Sequence, residues 1–308
     1  MQEVYDIIVI GGGAAGMTAC LYSLRNGKSV LMLESESIGG QIATSPRLEN
    51  YPSVKAISGE QFADDLFEQI TALGADFEIE KAEKIEKKDG IFTVKTEYKE
   101  YKAKSVIIAT GVKHKHLRTK SERNDLIGKG VYYCAICDGA FYKGKEVMVI
   151  GDANTALQYA ILLSSYCKKV YLYTLFDRLF GDKALQKTAL AKENVEWVKE
   201  VAVTDFIGDN ELKAVEYKDK DGNIRYHEIP AVFVAIGQIP DNKAFSDLVD
   251  LDKEGYIVSD ENCKTKTEGL FVAGDCRTKP VRQVITAVAD GGVAATNASL
   301  YLESLENA

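Results

Sequence analysis

Two stretches of the chain share one hydrophobic pattern: a short run of aliphatic and β-branched residues, a glycine-led turn, a small-residue helix and a second apolar run. The first begins with Tyr5-Asp-Ile-Ile-Val-Ile10 and turns through Gly11-Gly-Gly-Ala14-Ala15-Gly16. It continues as a helix to about Asn26, which Gly27 ends, and as a strand over 29–33 that stops at Glu34. The second runs from Glu146-Val-Met-Val-Ile150 through Gly151-Asp-Ala-Asn-Thr-Ala156 to a helix ending near Cys167 and a strand over 169–173. Between and after them the pattern predicts an amphipathic helix over 62–73, strands over 91–94, 105–111, 231–237 and 269–275, and a C-terminal helix over 283–302.

Two such strand–helix–strand units predict an α/β protein with two dinucleotide-binding (Rossmann-like) domains built on parallel sheets. The charged stretch 113–120 and the Pro240-containing stretch 238–243 read as linkers. The second domain, 114–242, is then inserted into a discontinuous first domain formed by 1–113 and 243–308.

The 308 residues carry a net charge of −8, which excludes a surface built to neutralise nucleic-acid phosphates. No apolar run approaches the ~20 residues of a membrane span, and the N-terminal segment does not read as a secretory signal, so a cytoplasmic protein is expected. Six cysteines are too few for a disulfide scaffold in a chain of this length. Cys134 and Cys137 form the C-x-x-C, whose spacing suits a redox disulfide. A zinc half-site needs two further ligands; no second C-x-x-C exists, and His114 and His116 fit ligand spacing poorly. Asp138, next to the pair, is a candidate to carry the proton that disulfide cleavage requires.

Gly11-x-Gly13-x-x-Gly16 follows a strand and opens a helix, as a pyrophosphate cradle requires: a tight turn, a close backbone approach and tight helix–strand packing. The helix start offers free N–H groups, and Glu34 ends the next strand where a carboxylate can hold a ribose.

Gly39-Gly40-Gln41, Glu49-Asn50-Tyr-Pro52, Ala109-Thr110-Gly111, Cys134-Ala-Ile-Cys-Asp-Gly139, Gly274-Asp275 and Arg282-Gln283 complete a set that resembles the low-molecular-weight flavin thioredoxin reductases over nearly the whole chain. The resemblance implies FAD in the first domain, with its pyrophosphate at Gly11–Gly16, its ribose at Glu34 and its adenine near Ala82. Gln41, Asn50, Asp275, Arg282, Gln283 and Val284 would hold the ribityl chain and flavin ring. It also implies thioredoxin as substrate, a homodimer, Cys137 facing the flavin and Cys134 attacking the substrate disulfide.

One part departs from the family. The second turn carries Asp152 and Ala153 where the relatives have residues that let backbone approach the NADPH pyrophosphate. Thr174, Leu175, Phe176 and Phe180 stand where basic residues grip the 2′-phosphate. Losing two charge-assisted hydrogen bonds at about 1.5–3 kcal/mol each weakens binding by roughly a hundredfold to twenty-thousandfold. Phe176 and Phe180 are expected to fill the emptied groove, unless Arg178 has taken over the phosphate.

This pattern resembles the ferredoxin-dependent flavin thioredoxin reductases, and ferredoxin is the expected electron donor. A ferredoxin near about −400 mV lies about 130 mV below thioredoxin, roughly 6 kcal/mol downhill for two electrons. The basic cluster Lys113, Lys115, Arg118, Lys120 and Arg123 is the candidate docking patch. The alternatives are an NADPH-dependent thioredoxin reductase with unusual coenzyme recognition, a flavin dithiol oxidase and a flavin-bound redox sensor.

Overall fold

The computed structural model describes residues 4–45, 48, 50–117, 119–121 and 124–307. In chain order the elements are β1 (Tyr5–Ile10), α1 (Ala14–Arg25), β2 (Val30–Glu34), α2 (Gly59–Ala72), β3 (Asp76–Ile79), β4 (Lys84–Lys88), β5 (Ile91–Lys95), β6 (Glu100–Ile108) and β7 (Lys113–His114). Then come β8 (Val131–Tyr132), α3 (Ala135–Asp138), β9 (Glu146–Ile150), α4 (Asn154–Ser164), β10 (Lys169–Tyr173), α5 (Lys183–Leu190) and β11 (Val195–Val198). The chain continues through β12 (Ala202–Gly208), β13 (Leu212–Lys218), β14 (Ile224–Glu228), β15 (Val232–Val234), β16 (Gln238–Ile239), β17 (Leu270–Val272) and α6 (Val284–Glu306). It forms two compact units, Met1–Lys113 with Ile239–Ala308, and His114–Gln238. The return to the first unit falls earlier than the expected 242/243. Asn242 explains why: its side chain is buried and bonded to Thr110, to the Gly255 carbonyl and to the Cys276 carbonyl, all in the first unit.

The first unit is built on a sheet of order β3-β2-β1-β6-β5-β4, with β17 also on β6. The long β6 serves two partners: its first half pairs antiparallel with β5, its last residues parallel with β17. Along β1 and β2, Ile8, Ile10, Leu31 and Leu33 enter one apolar cluster, whereas Ile7, Val9, Val30 and Met32 enter the other. Both faces are covered, which is why these strands read as continuous apolar runs. Helices α1 and α6 pack closely; a side chain on Gly291 would collide with the Ala15 carbonyl.

The second unit repeats the plan with the sheet β11-β10-β9-β15-β8, its strands parallel, and adds the antiparallel sheet β12-β13-β14. Two elements end differently from the sequence pattern. Helix α4 stops at Ser164, before Cys167, where the Tyr166 and Cys167 amides turn back on the Leu163 carbonyl. β15 ends at Val234, short of the run 231–237, and the Ala235 amide makes a further bond to the Ile150 carbonyl of β9 at 2.8 Å. No described helix is long and apolar enough to cross a membrane.

Candidate active site

In the first unit, the turn between β1 and α1 has the geometry of a phosphate cradle. Gly11 has φ +114°, and a Cβ there would collide with the Ala109 carbonyl. A Cβ on Gly16 would collide with the Gly11 carbonyl. At Gly13 the nearest atom to an added Cβ is the Gly39 carbonyl oxygen at 3.8 Å, so its outer face is open. Gly13 is also the N-cap of α1 and provides no side-chain cap. No acid stands in the first turn, so the amides of Ala14, Ala15 and Gly16 start the helix without an internal anion.

Glu34 organises this turn. Its carboxylate accepts from the Gly12 amide at 2.6 Å and from the Glu36 amide at 2.9 Å. The Gly39 amide donates to the Gly12 carbonyl at 2.8 Å, bringing Gly39 and Gly40 alongside. The Gln41 amide donates to the Val112 carbonyl beyond Ala109-Thr110-Gly111, and the Ala109 amide bonds the end of β1 at Ile10. Ala82 lies between β3 and β4, buried in the cluster that contains Ile10 and Leu33.

The far end of the site gathers at the start of α6. Asn50 Nδ2 donates to Gln283 Oε1 at 3.0 Å, and Gln283 caps the helix in a capping box with Thr286, ahead of Val284. The Arg282 guanidinium lies 3.9 Å from the Tyr256 ring centroid and donates to the Asp275 carbonyl at 3.2 Å. Gly274 has φ +80° and presses on Ala15. Asp275 is half-buried, one of its carboxylate oxygens is enclosed with no protein partner, and desolvation pushes its pKa up to about 6. A buried carboxylate oxygen without a partner costs about 1–3 kcal/mol or more unless a ligand donor completes it. The open Gly13 cradle and the incomplete Asp275 both fit a bound dinucleotide such as FAD, to which the isoalloxazine ring contributes reversible one- and two-electron chemistry.

Sequence reasoning missed the support beneath Gly274. Asp290 of α6 accepts from the Gly274 amide at 3.0 Å, from Arg277 Nε and Nη2 at 2.8 Å each, and from Lys279 Nζ at 2.7 Å. All three side chains are buried, and the two cations hold the Asp290 carboxyl below its ordinary pKa against the penalty of burial. Charges 11 and 13 residues apart carry no motif; only the fold joins them. Asp290→Ala leaves two cations buried without their anion. We expect it to cost about 3–5 kcal/mol of stability, read as the shift in urea midpoint against Asp290→Asn, which keeps the shape.

In the second unit, Cys134 and Cys137 are joined as a disulfide. Cys134 is the N-cap of α3, and its sulfur accepts from the Cys137 amide at 3.2 Å, a contact that favours a thiolate there once the disulfide opens. Asp138 is buried, with Oδ1 lacking a partner, and burial raises its pKa to about 7. An acid raised in this way keeps its proton near neutrality. Because folding raises the pKa, stability contributed by this group falls as pH rises from 3.8 towards about 7. Cys20, Cys167, Cys263 and Cys276 are buried thiols, their pKa values raised by burial.

The second glycine turn is occupied by the chain itself. The Phe180 amide donates to the Asp152 carbonyl at 2.7 Å. Asn154, the first residue of α4, accepts from the Asp182 amide at 2.7 Å and donates to the Asp182 carboxylate at 3.1 Å. The Asp182 carboxylate therefore lies at the helix start where a pyrophosphate would be held, with Asp152 in the turn just before it. Phe176 and Phe180 do not fill a groove as expected. Their rings meet edge-on at 5.5 Å, Arg178 stacks on Phe180, and they remain 46% and 50% exposed. Phe176 lines an open surface groove with Leu175, Glu200, Ala202 and Lys218, which leaves its ring partly in solvent.

The proposed basic docking patch is also altered. Lys113 is paired with Glu36 and Lys120 with Glu216, so two of its charges are compensated. Arg118 and Arg123 lie outside the described residues.

Two dinucleotide folds, one with an intact cradle and the other carrying a C-x-x-C disulfide beside a raised acid, define a flavin-dependent disulfide oxidoreductase. The comparisons agree. Residues 5–291 match the model of the pyridine nucleotide-disulphide oxidoreductase family, and the chain belongs to that family. It is 38% identical to the thioredoxin reductase of Listeria innocua, across 100% of this chain and 97% of the relative. The thioredoxin reductase structure from Streptococcus pyogenes is 35% identical and superposes with a TM-score of 0.94, covering 99% of this chain and 100% of that one. A structure from Clostridium acetobutylicum described as a ferredoxin-flavin thioredoxin reductase is 27% identical with a TM-score of 0.55, each chain covered in full.

Proposed function

We propose that the chain reduces thioredoxin, with FAD held by Gly11–Gly16, Glu34, Gly39–Gln41, Asn50, Asp275 and Arg282–Val284 as the relay to the Cys134–Cys137 disulfide. The observation that carries this reading is the disulfide with Asp138 beside it. Opening it produces two sulfur anions, and a carboxylic acid protonated near pH 7 can supply one of the protons required. The Cys137 amide would stabilise the remaining anion at Cys134, the sulfur that the resemblance assigns to attack on the substrate disulfide. We infer a homodimer, as the resemblance implies.

The weight of the relatives supports a pyridine nucleotide as donor over ferredoxin. The family is named for that coenzyme, and the thioredoxin reductases of Listeria innocua and Streptococcus pyogenes, at 38% and 35% identity, resemble the chain more than the ferredoxin-flavin relative at 27%. Recognition of the coenzyme must then be unusual, since Thr174, Leu175 and Phe176 contribute no cation. Ferredoxin is kept as a second reading on one observation: the segment 176–182 folds onto the turn at 151–154 and presents Asp182 to the start of α4.

Anaerobic absorption spectroscopy separates the two. Loss of the flavin band within seconds of adding stoichiometric NADPH or NADH supports the pyridine-linked reading. Reduction by reduced ferredoxin, with neither nucleotide effective at millimolar concentration, supports the other. Reduction of the flavin with no thiols formed on thioredoxin would overturn thioredoxin reduction itself.

A further inference from the structure

Asp138 is only 6% exposed and its Oδ1 is enclosed with no protein partner, so neighbouring groups of the second unit keep water from it. Four tyrosines, Tyr132, Tyr142, Tyr159 and Tyr166, belong to the apolar cluster that buries Ala135 of α3. Tyr132 of β8 lies stacked on Phe233 and shares a hydroxyl–hydroxyl bond of 3.0 Å with Tyr142. Tyr142 meets Phe233 edge-on. Tyr159 rises from α4 and donates to the Tyr133 carbonyl at 2.9 Å, immediately before Cys134. Tyr166 closes the Gly139 side: an added Cβ on Gly139 would lie 2.5 Å from its hydroxyl. Ala135 of α3 is buried in one cluster with Tyr132, against which Tyr142 and Tyr159 pack, and a charge on Asp138 would raise the pKa of all three hydroxyls.

The titratable groups that β8, the 139–142 turn and α4 bring to this cluster among the described residues are the phenols Tyr132, Tyr142 and Tyr159. No cation from these elements is among the causes acting on its carboxyl, and burial alone raises it. Glu211 also raises the pKa of the Tyr132 and Tyr142 hydroxyls.

We propose that Tyr132, Tyr142 and Tyr159 are positioning residues that wall Asp138 from water and so reserve its proton for the thiolate released when the Cys134–Cys137 disulfide is cleaved. In that step the carboxyl O–H bond breaks and an S–H bond forms; the aspartate becomes the anion and the sulfur becomes neutral. The electron pair that cleaves the disulfide comes from the reduced flavin of the proposed reaction. The rings, not their hydroxyls, form the barrier, so phenylalanine is expected to replace tyrosine at 159 and serine is not.

This inference rests on the thioredoxin reductase reading for its purpose, but its test does not. The protonated carboxyl band of Asp138 is followed by infrared difference spectroscopy against Asp138→Asn in the oxidised holoenzyme between pH 4 and 9. A midpoint near 7 is expected in the parent protein. Tyr159→Ser is expected to lower it by at least about one unit as water enters, and Tyr159→Phe to leave it near the parent value. If Tyr159→Ser does not fold by circular dichroism, Tyr142→Ser is read in the same way. A folded serine variant with an unmoved midpoint overturns the proposal, as does a parent midpoint in the ordinary carboxylate range. Failure to reduce thioredoxin, with these midpoints as expected, overturns the function and leaves the wall standing.

Discussion

Cys137→Ser is expected to abolish turnover with thioredoxin, lowering kcat/KM by at least about 10⁴-fold, the scale seen when a reaction loses its nucleophile. Cys134→Ser should do the same, because a single thiol cannot carry an electron pair as a disulfide. The two variants differ in what they leave behind. In Cys137→Ser the Cys134 thiol keeps the backbone amide at position 137 that its sulfur accepts from. It should displace an aromatic thiol from a single-cysteine thioredoxin activated as a mixed disulfide, and the resulting adduct should persist because the resolving sulfur is gone. In Cys134→Ser the adduct should form slowly or not at all. Both variants should retain FAD, since the residues assigned to it lie in the first unit. An adduct that forms on Cys137 and not on Cys134 would reverse the assigned roles.

The two strand–turn–helix units were legible because both faces of their strands are buried, so the apolar runs Ile7–Ile10 and Val147–Ile150 are unbroken. The glycine turn and Glu34 were legible for a related reason: short local distances fix what those residues can do. The antiparallel sheet β12-β13-β14 was not predicted. β14 buries none of its residues, and β12 and β13 place the buried acids Asp205 and Glu216 among their apolar positions, so no continuous or alternating apolar run marks the sheet. In the fold Glu216 accepts from Thr204 and Tyr226 on the two flanking strands and pairs with Lys120, drawing its pKa down to about 2, so the acid helps pin the sheet. The same limit applied at the site. The spacing of Cys134 and Cys137 is local and visible, but the raised pKa of Asp138 depends on tyrosines from α4 and β8. The Asp290–Arg277–Lys279 network depends on α6 lying beneath Gly274. Phe176 and Phe180 mark the opposite error: aromatic residues imply burial only where another element covers them.

Leu175→Arg combined with Phe176→Arg is expected to raise affinity for NADPH by about a hundredfold, with little change for NADH. Two charge-assisted hydrogen bonds are worth about 3–6 kcal/mol together when sheltered. Leu175 and Phe176 are 57% and 46% exposed, so solvent holds the gain near the lower limit, at about 1.4 kcal/mol per tenfold. That exposure also makes the substitutions nearly neutral for folding. The selectivity identifies the cause, because the 2′-phosphate is what distinguishes the two coenzymes. A third change, Asp182→Asn, removes a carboxylate from the start of α4 and should strengthen both coenzymes alike, since each carries the same pyrophosphate. Calorimetric titration of the parent and variants with both nucleotides measures the effects separately. If the paired arginines leave NADPH affinity unchanged, the end of β10 is not where the 2′-phosphate lies. If the parent already binds NADPH at micromolar concentration, the coenzyme is held by contacts outside 174–180, and the ferredoxin reading loses the observation on which it rests.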